Sequence, residues 1–206
     1  MDFNFKYVGE YDVSNIADKV NKFSEELWND YSFRQDKHDV HEHTTTVPII
    51  WKEPLNRNSI VYNNNNKYWN EYESIKEDIN NLNTLLNNNV SKGEIESVLL
   101  IRLPKNKSIT KHMDSGSYFL NHNRFHMPII THEDVIFEIS NEKKHLKTGE
   151  IWEINNNKKP HGVSNTSNID RVHMLIDWKP LWYIQIVISL CFITYLKQQV
   201  QVYILY

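Results

Sequence analysis

Hydrophobic positions in the N-terminal part of the chain recur with the period of an α-helix. Ser14 is a residue type that caps helices, and the apolar side chains that follow it predict a first helix: Ile16, Val20, Phe23 and Leu27. A second helix is predicted to begin near Lys67 and to end at the asparagine run 87–89, on an apolar stripe of Trp69, Tyr72, Ile75, Ile79, Leu82 and Leu86. The β-branched and apolar stretch 44–51 between them predicts a strand.

From residue 97 onward the pattern changes to short apolar or alternating runs. These runs are SVLLIRL, RFHMPIIT, VIFEIS, EIWEIN and RVHMLIDW, with proline, glycine, asparagine and lysine between them. Successive short strands of this kind predict a mainly β fold, a double-stranded β-helix (jelly-roll or cupin-like barrel) with flanking N-terminal α-helices. We therefore expect residues 1–96 to form a helical and mixed flank packed on the barrel, and residues 97–178 to form the jelly-roll core that carries the chemistry.

The C-terminal tail, residues 181–206, is hydrophobic and differs from both parts. Its segment LWYIQIVISLCFITYL, residues 181–196, contains no charged side chain. This segment is slightly shorter than the ~18 or more apolar residues that indicate a membrane-spanning helix. Aromatic residues near both of its ends are typical of membrane interfaces. Three interpretations stay open: a membrane segment, a further element of the core, or a dispensable extension.

Composition narrows the class of protein. A chain of 206 residues is long enough for one domain that buries a core without disulfides, and its single cysteine, Cys191, is typical of a reducing compartment. The net charge of -3 at pH 7 provides no basic surface for nucleic acid. The N-terminus has no secretory signal pattern. We expect a cytoplasmic protein, with C-terminal membrane anchoring through 181–196 as the alternative.

Two histidines and a carboxylate form the strongest chemical pattern. His112 and Asp114 are two positions apart, so in an extended segment both side chains point to the same face and can reach one metal ion. His161, at a turn into another strand, can complete a 2-His-1-carboxylate set. Such a set binds Fe(II) on one face and leaves the opposite positions open. In a chain with ten histidines a His-x-Asp match also arises by chance.

Arg171, ten residues after His161, adds a second function to this pattern. If strands that begin at His161 and at Arg171 form a hairpin, the arginine points into the same cavity as the metal ligands. A guanidinium group suits a carboxylate ligand because it stays charged and binds bidentately. The combination in a strand-rich context predicts a metal site with an anion-binding arginine.

Three segments resemble the aspartyl/asparaginyl β-hydroxylase family, which includes free-proline hydroxylases. They are RLPKNKSITKHMDSG, RFHMPIIT and GEIWEINNNKKPHGVSNTSNIDRVHMLIDW, within about residues 95–178. The upstream segment RQDKHDVHEHTTTVPIIW also resembles small bacterial and phage-type members. The resemblance implies that His112, Asp114 and His161 are iron ligands and that Arg171 binds the C5 carboxylate of 2-oxoglutarate. It also implies a co-substrate contact for Arg124 and His126, in the R-x-H pattern.

The activity that the resemblance implies is Fe(II)- and 2-oxoglutarate-dependent oxygenation. An amino-acid-type substrate, free or as an Asp, Asn or Pro side chain, would be hydroxylated with O2 while 2-oxoglutarate is converted to succinate. Vertebrate protein-modifying members lack the carboxylate ligand, so Asp114 places this chain closer to the small-molecule and prokaryotic members. The alternative is a non-catalytic cupin-like binding or sensor module, which has no need for both Asp114 and Arg171.

Three further residues are candidates for the substrate side of the site. Arg102 precedes the metal ligands in a strand and either faces the cavity or pairs with an acidic residue. His41 lies in a histidine-rich loop expected at the mouth of the site, where a separate metal cluster with His38 and His43 is the alternative. Asn165 either bonds the substrate or holds a turn.

Overall fold

Two antiparallel β-sheets form the centre of the structure, a computed structural model that describes residues 3–32, 36, 39–51 and 67–181. In chain order the strands are β1 (Phe5–Glu10), β2 (Thr45–Ile50), β3 (Gly93–Leu103), β4 (Lys107–His112), β5 (Asn123–Ile130), β6 (Val135–Ile139), β7 (Glu142–Lys144), β8 (Glu150–Ile154), β9 (His161–Asn165) and β10 (Arg171–Pro180). A six-stranded sheet has the order β1-β8-β5-β10-β3-β2, and a four-stranded sheet has the order β4-β9-β6-β7. The predicted jelly-roll class is confirmed, and β2 lies where the sequence predicts a strand.

One long helix covers the six-stranded sheet. It is α3 (Trp69–Asn89), after α1 (Ser14–Val20) and α2 (Glu25–Asn29) and before the short α4 (Ser117–Leu120). The apolar stripe of α3 is buried as predicted, at Tyr72, Ile75, Ile79, Leu82 and Leu86. This stripe packs into the main hydrophobic core with the outward-facing side chains of the sheet.

The first predicted helix is instead two short helices. The chain leaves the helical path after Val20, and Ser24 begins a new helix because its Oγ accepts a hydrogen bond from the Leu27 amide at 3.1 Å. Ser14, predicted as the cap of the first helix, is the first residue inside α1. Its amide and hydroxyl both donate to Asp12 Oδ1. The apolar period therefore identified the buried residues of α1, Ile16 and Val20, but missed the break before α2 and the buried Trp28 of that helix.

A predicted hairpin between the strands that begin at His161 and Arg171 is wrong. Strand β9 pairs with β4 and β6, whereas β10 pairs with β3 and β5 in the facing sheet. Asn165 holds the crossing between the sheets, because its side-chain amide donates to the carbonyl oxygens of Leu103, Pro104 and Ile169. The side chains of His161 and Arg171 consequently approach the space between the sheets from opposite sides.

Side chains alternate along β10 between two surroundings. Outward-facing residues belong to the main core against the helices: Val172, Met174, Ile176 and Trp178. Inward-facing residues point toward the four-stranded sheet, as their contacts with the cavity and with β5 show: Arg171, His173, Leu175 and Asp177. This alternation places several polar groups in a buried cavity.

The predicted boundary at residue 96 stays a prediction, although β1 and β2 from the first range are hydrogen-bonded members of the six-stranded sheet. The last described residue, Leu181, donates its amide to the Lys92 carbonyl at 2.9 Å. Apart from Leu181, the tail segment 181–206 lies outside the described residues, so the three interpretations of the tail stay open. Within the described ranges, no helix combines the length and the apolar character needed to cross a membrane.

Candidate metal centre

The structure brings the three predicted metal ligands together at the edge of a cavity between the sheets. His112, the last residue of β4, lies opposite His161 of β9, and Asp114 follows directly after β4. The ligand atoms of the three side chains lie within 4.8 Å of one another. Met113 points away and is 56% exposed, as strand alternation requires. In the described part of the chain, no other group of three His, Cys, Asp or Glu side chains comes this close.

Backbone carbonyls orient both imidazoles. His112 Nδ1 lies 2.8 Å from the Thr110 carbonyl oxygen, and His161 Nδ1 lies 3.5 Å from that of Lys159. A carbonyl only accepts, so each Nδ1 carries a proton, which leaves Nε2 as the ring nitrogen that can bind a metal ion. Burial lowers the pKa of His161 to about 4 against the opposing effect of Asp114. His161 is therefore neutral at pH 7, which is the form that binds metal ions.

The carboxylate of Asp114 is held through one oxygen. Oδ2 accepts hydrogen bonds from Arg124 Nη1 at 2.6 Å and from Asn156 Nδ2 at 2.7 Å. Oδ1 lies 3.7 Å from His112 Nε2, on the side of the other ligand atoms. Burial alone would raise the pKa of Asp114, but Arg124 and then His161 hold it well below its usual value. The side chain is therefore ionised, with one oxygen facing the two histidines.

Arg124 lies between two carboxylates at the metal end of the cavity. Its Nε and Nη2 donate to Asp177 Oδ1 and Oδ2 at 2.7 and 2.9 Å, while Nη1 binds Asp114. Asp177 is completely buried and also accepts from the Tyr118 hydroxyl at 3.1 Å. The guanidinium thus connects two carboxylates of the chain itself, and the co-substrate contact that the resemblance implies for Arg124 stays a prediction. Strand alternation from Arg171 was the signal that could have identified Asp177.

Asn156 is a site residue that the sequence analysis missed. It is 4% exposed, and it contacts Asp114 through both its side chain and its backbone carbonyl, which accepts from the Asp114 amide at 2.9 Å. Asn156 lies in an asparagine run that is typical of a loop, so no signal in the sequence distinguished it from its neighbours. The neighbouring Asn157 instead donates to the Phe119 carbonyl at 2.6 Å.

The inner end of the same cavity contains three buried cationic or imidazole side chains. Arg171 at the start of β10 is 2% exposed and lines the cavity with His126 and His173. The two imidazole rings lie 5.9 Å apart. Burial, and after it Arg171, lowers the pKa of both histidines well below the usual value. This end of the cavity therefore combines one fixed positive charge with two neutral imidazoles.

The predicted substrate-side residues separate into one that reaches the cavity and two that do not. His41 lines the cavity, and its ring is 5.3 Å from that of His112 in an edge-to-face arrangement. Arg102 is on the outer face of β3, where it binds Glu25 at 2.6 and 2.8 Å, so its pairing with an acidic residue is what the structure shows. Asn165 holds the turn described above. Of the alternative histidine cluster, His38 lies outside the described residues and His43 contacts Glu42 at 3.1 Å.

Comparisons with known proteins identify a family and similar folds. The family model for aspartyl/asparaginyl beta-hydroxylase matches residues 6–180. Among solved structures, an oxidoreductase of the 2OG-Fe(II) oxygenase family from Burkholderia pseudomallei is 12% identical, with 87% of this chain and 95% of that chain covered and a TM-score of 0.52. A cupin 2 conserved barrel domain protein from Salinispora arenicola is 9% identical, with 45% and 70% covered and a TM-score of 0.32. At 12% identity, the likeness to the Burkholderia pseudomallei protein is one of fold. No curated protein matches the chain.

Proposed function

The chain belongs to the aspartyl/asparaginyl β-hydroxylase family, and from this premise we propose that it is an Fe(II)- and 2-oxoglutarate-dependent oxygenase that hydroxylates an amino-acid-type substrate. Membership places it among the hydroxylases. The proposal about iron and co-substrate depends on one observation above all: a His-Asp-His set and a buried arginine face one cavity from opposite sheets.

The donor set fits Fe(II). Two imidazole nitrogens and one carboxylate oxygen are the protein ligands of the facial arrangement that oxygenases use, which keeps positions free for co-substrate and oxygen. When bound, the iron would supply oxygen activation coupled to the conversion of 2-oxoglutarate to succinate. The contribution of the chain is to hold and orient the groups around it.

Orientation of the carboxylate ligand falls to Arg124 and Asn156. Both donate to Asp114 Oδ2, so Oδ1 is the oxygen directed at the metal position. Asp177 in turn holds Arg124 through two hydrogen bonds. Hydrogen bonds behind a ligand fix its geometry and raise metal affinity, so these three residues are positioning residues rather than ligands.

The inner end of the cavity suits the carboxylate groups of 2-oxoglutarate. Arg171 supplies a planar fork with a permanent charge, and its neutral neighbours His126 and His173 do not add competing charge at pH 7. His126 has a buried Nδ1 with no hydrogen-bond partner among the described residues. His126 lines the same cavity as the metal ligands and Arg171, which supports the co-substrate contact that the resemblance implies.

The substrate side is the open mouth of the cavity. His41 lines the cavity there, beside His112. We assign His41 to substrate contact. The substrate is a free amino acid or an Asp, Asn or Pro side chain, with no nucleic-acid partner expected from the net charge of -3.

Succinate formation tests the proposal. The protein reconstituted with Fe(II) and supplied with 2-oxoglutarate and O2 should form succinate in the presence of one class in a panel of free amino acids and short Asp-, Asn- and Pro-containing peptides. Mass spectrometry should show that one oxygen atom is added to that substrate. Arg171→Lys should weaken 2-oxoglutarate binding by about tenfold or more, because it keeps the charge but loses the fork. Tight binding of iron and 2-oxoglutarate with no succinate across the panel would favour the non-catalytic binding module.

A further inference from the structure

A buried imidazole beside Arg171 has no role in the metal centre. His173 is two residues further along β10 and points to the same face of the sheet. It is 2% exposed, and neither ring nitrogen has a hydrogen-bond partner in the described ranges. Polar atoms that are buried without partners cost free energy. A side chain of this kind in a protein interior therefore points to a functional role.

The residues directly opposite His173 in the two neighbouring strands are apolar. It lies opposite Ile101 of β3 and opposite Pro128 of β5, which has no amide hydrogen to offer. The ladder between β10 and β5 shifts its register between Val172 and His173. Such irregularities redirect side chains and are common next to active sites. The charged and titratable groups that face the ring are Arg171, His126 and His145, and burial with Arg171 keeps the pKa of His173 low.

These observations lead to an assignment that rests on the proposed function. We propose that His173 is a specificity-determining residue of the co-substrate site, where its ring N–H donates a hydrogen bond to the distal carboxylate that Arg171 binds. Arg171 attracts any anion at this end of the cavity. A second donor, two residues along the same strand, adds a directional contact that only a ligand with a carboxylate at this distance can use. The pair would therefore select a dicarboxylic 2-oxo acid over a monocarboxylic one.

A purely structural role for His173 would give a different result when the residue is replaced. If His173 only fills space in the core, replacing it with leucine should change stability and leave ligand binding untouched. If it serves a ligand, the same replacement should stabilise the free protein and weaken ligand binding. The opposite signs follow because leucine removes two unpaired buried nitrogens and, with them, the donor to the ligand.

Equilibrium binding to the Mn(II)-loaded protein, measured by calorimetry, separates these cases without turnover. The ligands are 2-oxoglutarate and 2-oxopentanoate, which has the same carbon chain but ends in a methyl group. His173→Leu should weaken 2-oxoglutarate binding by about tenfold to a hundredfold, the range for a hydrogen bond to a charged group. Its binding of 2-oxopentanoate and of Mn(II) should be unchanged. His173→Gln, which keeps an N–H donor, should recover most of the lost affinity.

Stability and a matched control complete the experiment. Without ligand, His173→Leu should raise the Tm by about 2–4 °C, a shift typical of a modest stabilisation in a domain of this size. His132→Leu, in the partly exposed loop after β5, removes an imidazole outside the cavity and should leave both ligands unaffected. If the leucine variant is insoluble, His173→Met takes its place with the same expectation.

Three outcomes would overturn the assignment of His173 to the co-substrate site. Unchanged 2-oxoglutarate affinity in His173→Leu shows that the imidazole does not contact the co-substrate. Equal weakening of both ligands shows that it acts at the metal end rather than on the distal carboxylate. If the wild-type protein with Mn(II) binds no 2-oxoglutarate, the proposed function itself is wrong, and the assignment falls with it.

Discussion

Strand β10 has two faces with the same backbone and opposite chemistry. Its outward face carries apolar side chains that are almost completely buried against the helices: Val172, Met174, Ile176 and Trp178. Its inward face carries Arg171, His173 and Asp177, which are buried to the same degree but are polar or charged. Burial alone therefore does not distinguish the core from the site. What distinguishes them is whether burial lowers or raises the free energy of the side chain.

The outward face stabilises the fold, because each large apolar side chain contributes roughly 1.5–3 kcal/mol when it leaves water. The buried polar groups of the inward face lower the stability of the fold unless they are paired. At the metal end they are paired, since Asp177 and Asp114 both bind Arg124. At the inner end His173 keeps two unpaired nitrogens among the described residues. The stability that the outward face of β10 contributes therefore offsets the free-energy cost of the buried polar groups on its inward face.

The largest effect should come from the outward face. Ile176→Ala removes a fully buried side chain that lies opposite Val98 and Phe125. The free energy of unfolding should fall by about 2–5 kcal/mol, as for other large-to-small core substitutions. Chemical denaturation measures this loss, and metal titration of the folded variant should give the affinity of the wild type. A variant with normal stability and weakened metal binding would show that the two faces are not separable.

A smaller effect should come from the contacts behind the metal ligands. Asn156→Ala removes one of the two side-chain donors to Asp114 Oδ2. Metal affinity should fall by about tenfold, the lower end of the range for groups that orient ligands. The matched control is Asn157→Ala, since Asn157 binds the Phe119 carbonyl and not a ligand. Titration with Mn(II) should separate the two variants, and equal affinities would remove Asn156 from the site.

Local patterns in the sequence predicted most of what alternation and period can encode. The buried stripe of α3, the strand β2 and the shared face of His112 and Asp114 all follow from spacing between near neighbours. The orientation of Arg102 could be predicted in the same way. It is on the outer face of β3, and alternation along that strand predicts this once the inward residues are known.

Features that depend on distant partners were harder to predict. Strand order across two sheets is not encoded in spacing, so β9 and β10 were expected to pair although they lie in facing sheets. The role of Asn156 depends on a contact with Asp114, forty-two positions earlier, and an asparagine run looks like any loop. The sequence alone could have placed His173 on the inward face, because it is two residues after Arg171. That its ring nitrogens have no partner among the described residues could be seen only in the structure.

The central claim is that His112, Asp114 and His161 hold one iron ion in front of Arg171. Anaerobic titration with Fe(II), followed by removal of loosely bound metal and measurement of iron per chain, tests it most directly. We expect one Fe(II) per wild-type chain and no stoichiometric iron in His112→Ala or His161→Ala, because two remaining ligands cannot hold the facial geometry. Circular dichroism should show both variants folded. Iron content equal to that of the wild type in both folded variants would contradict the account.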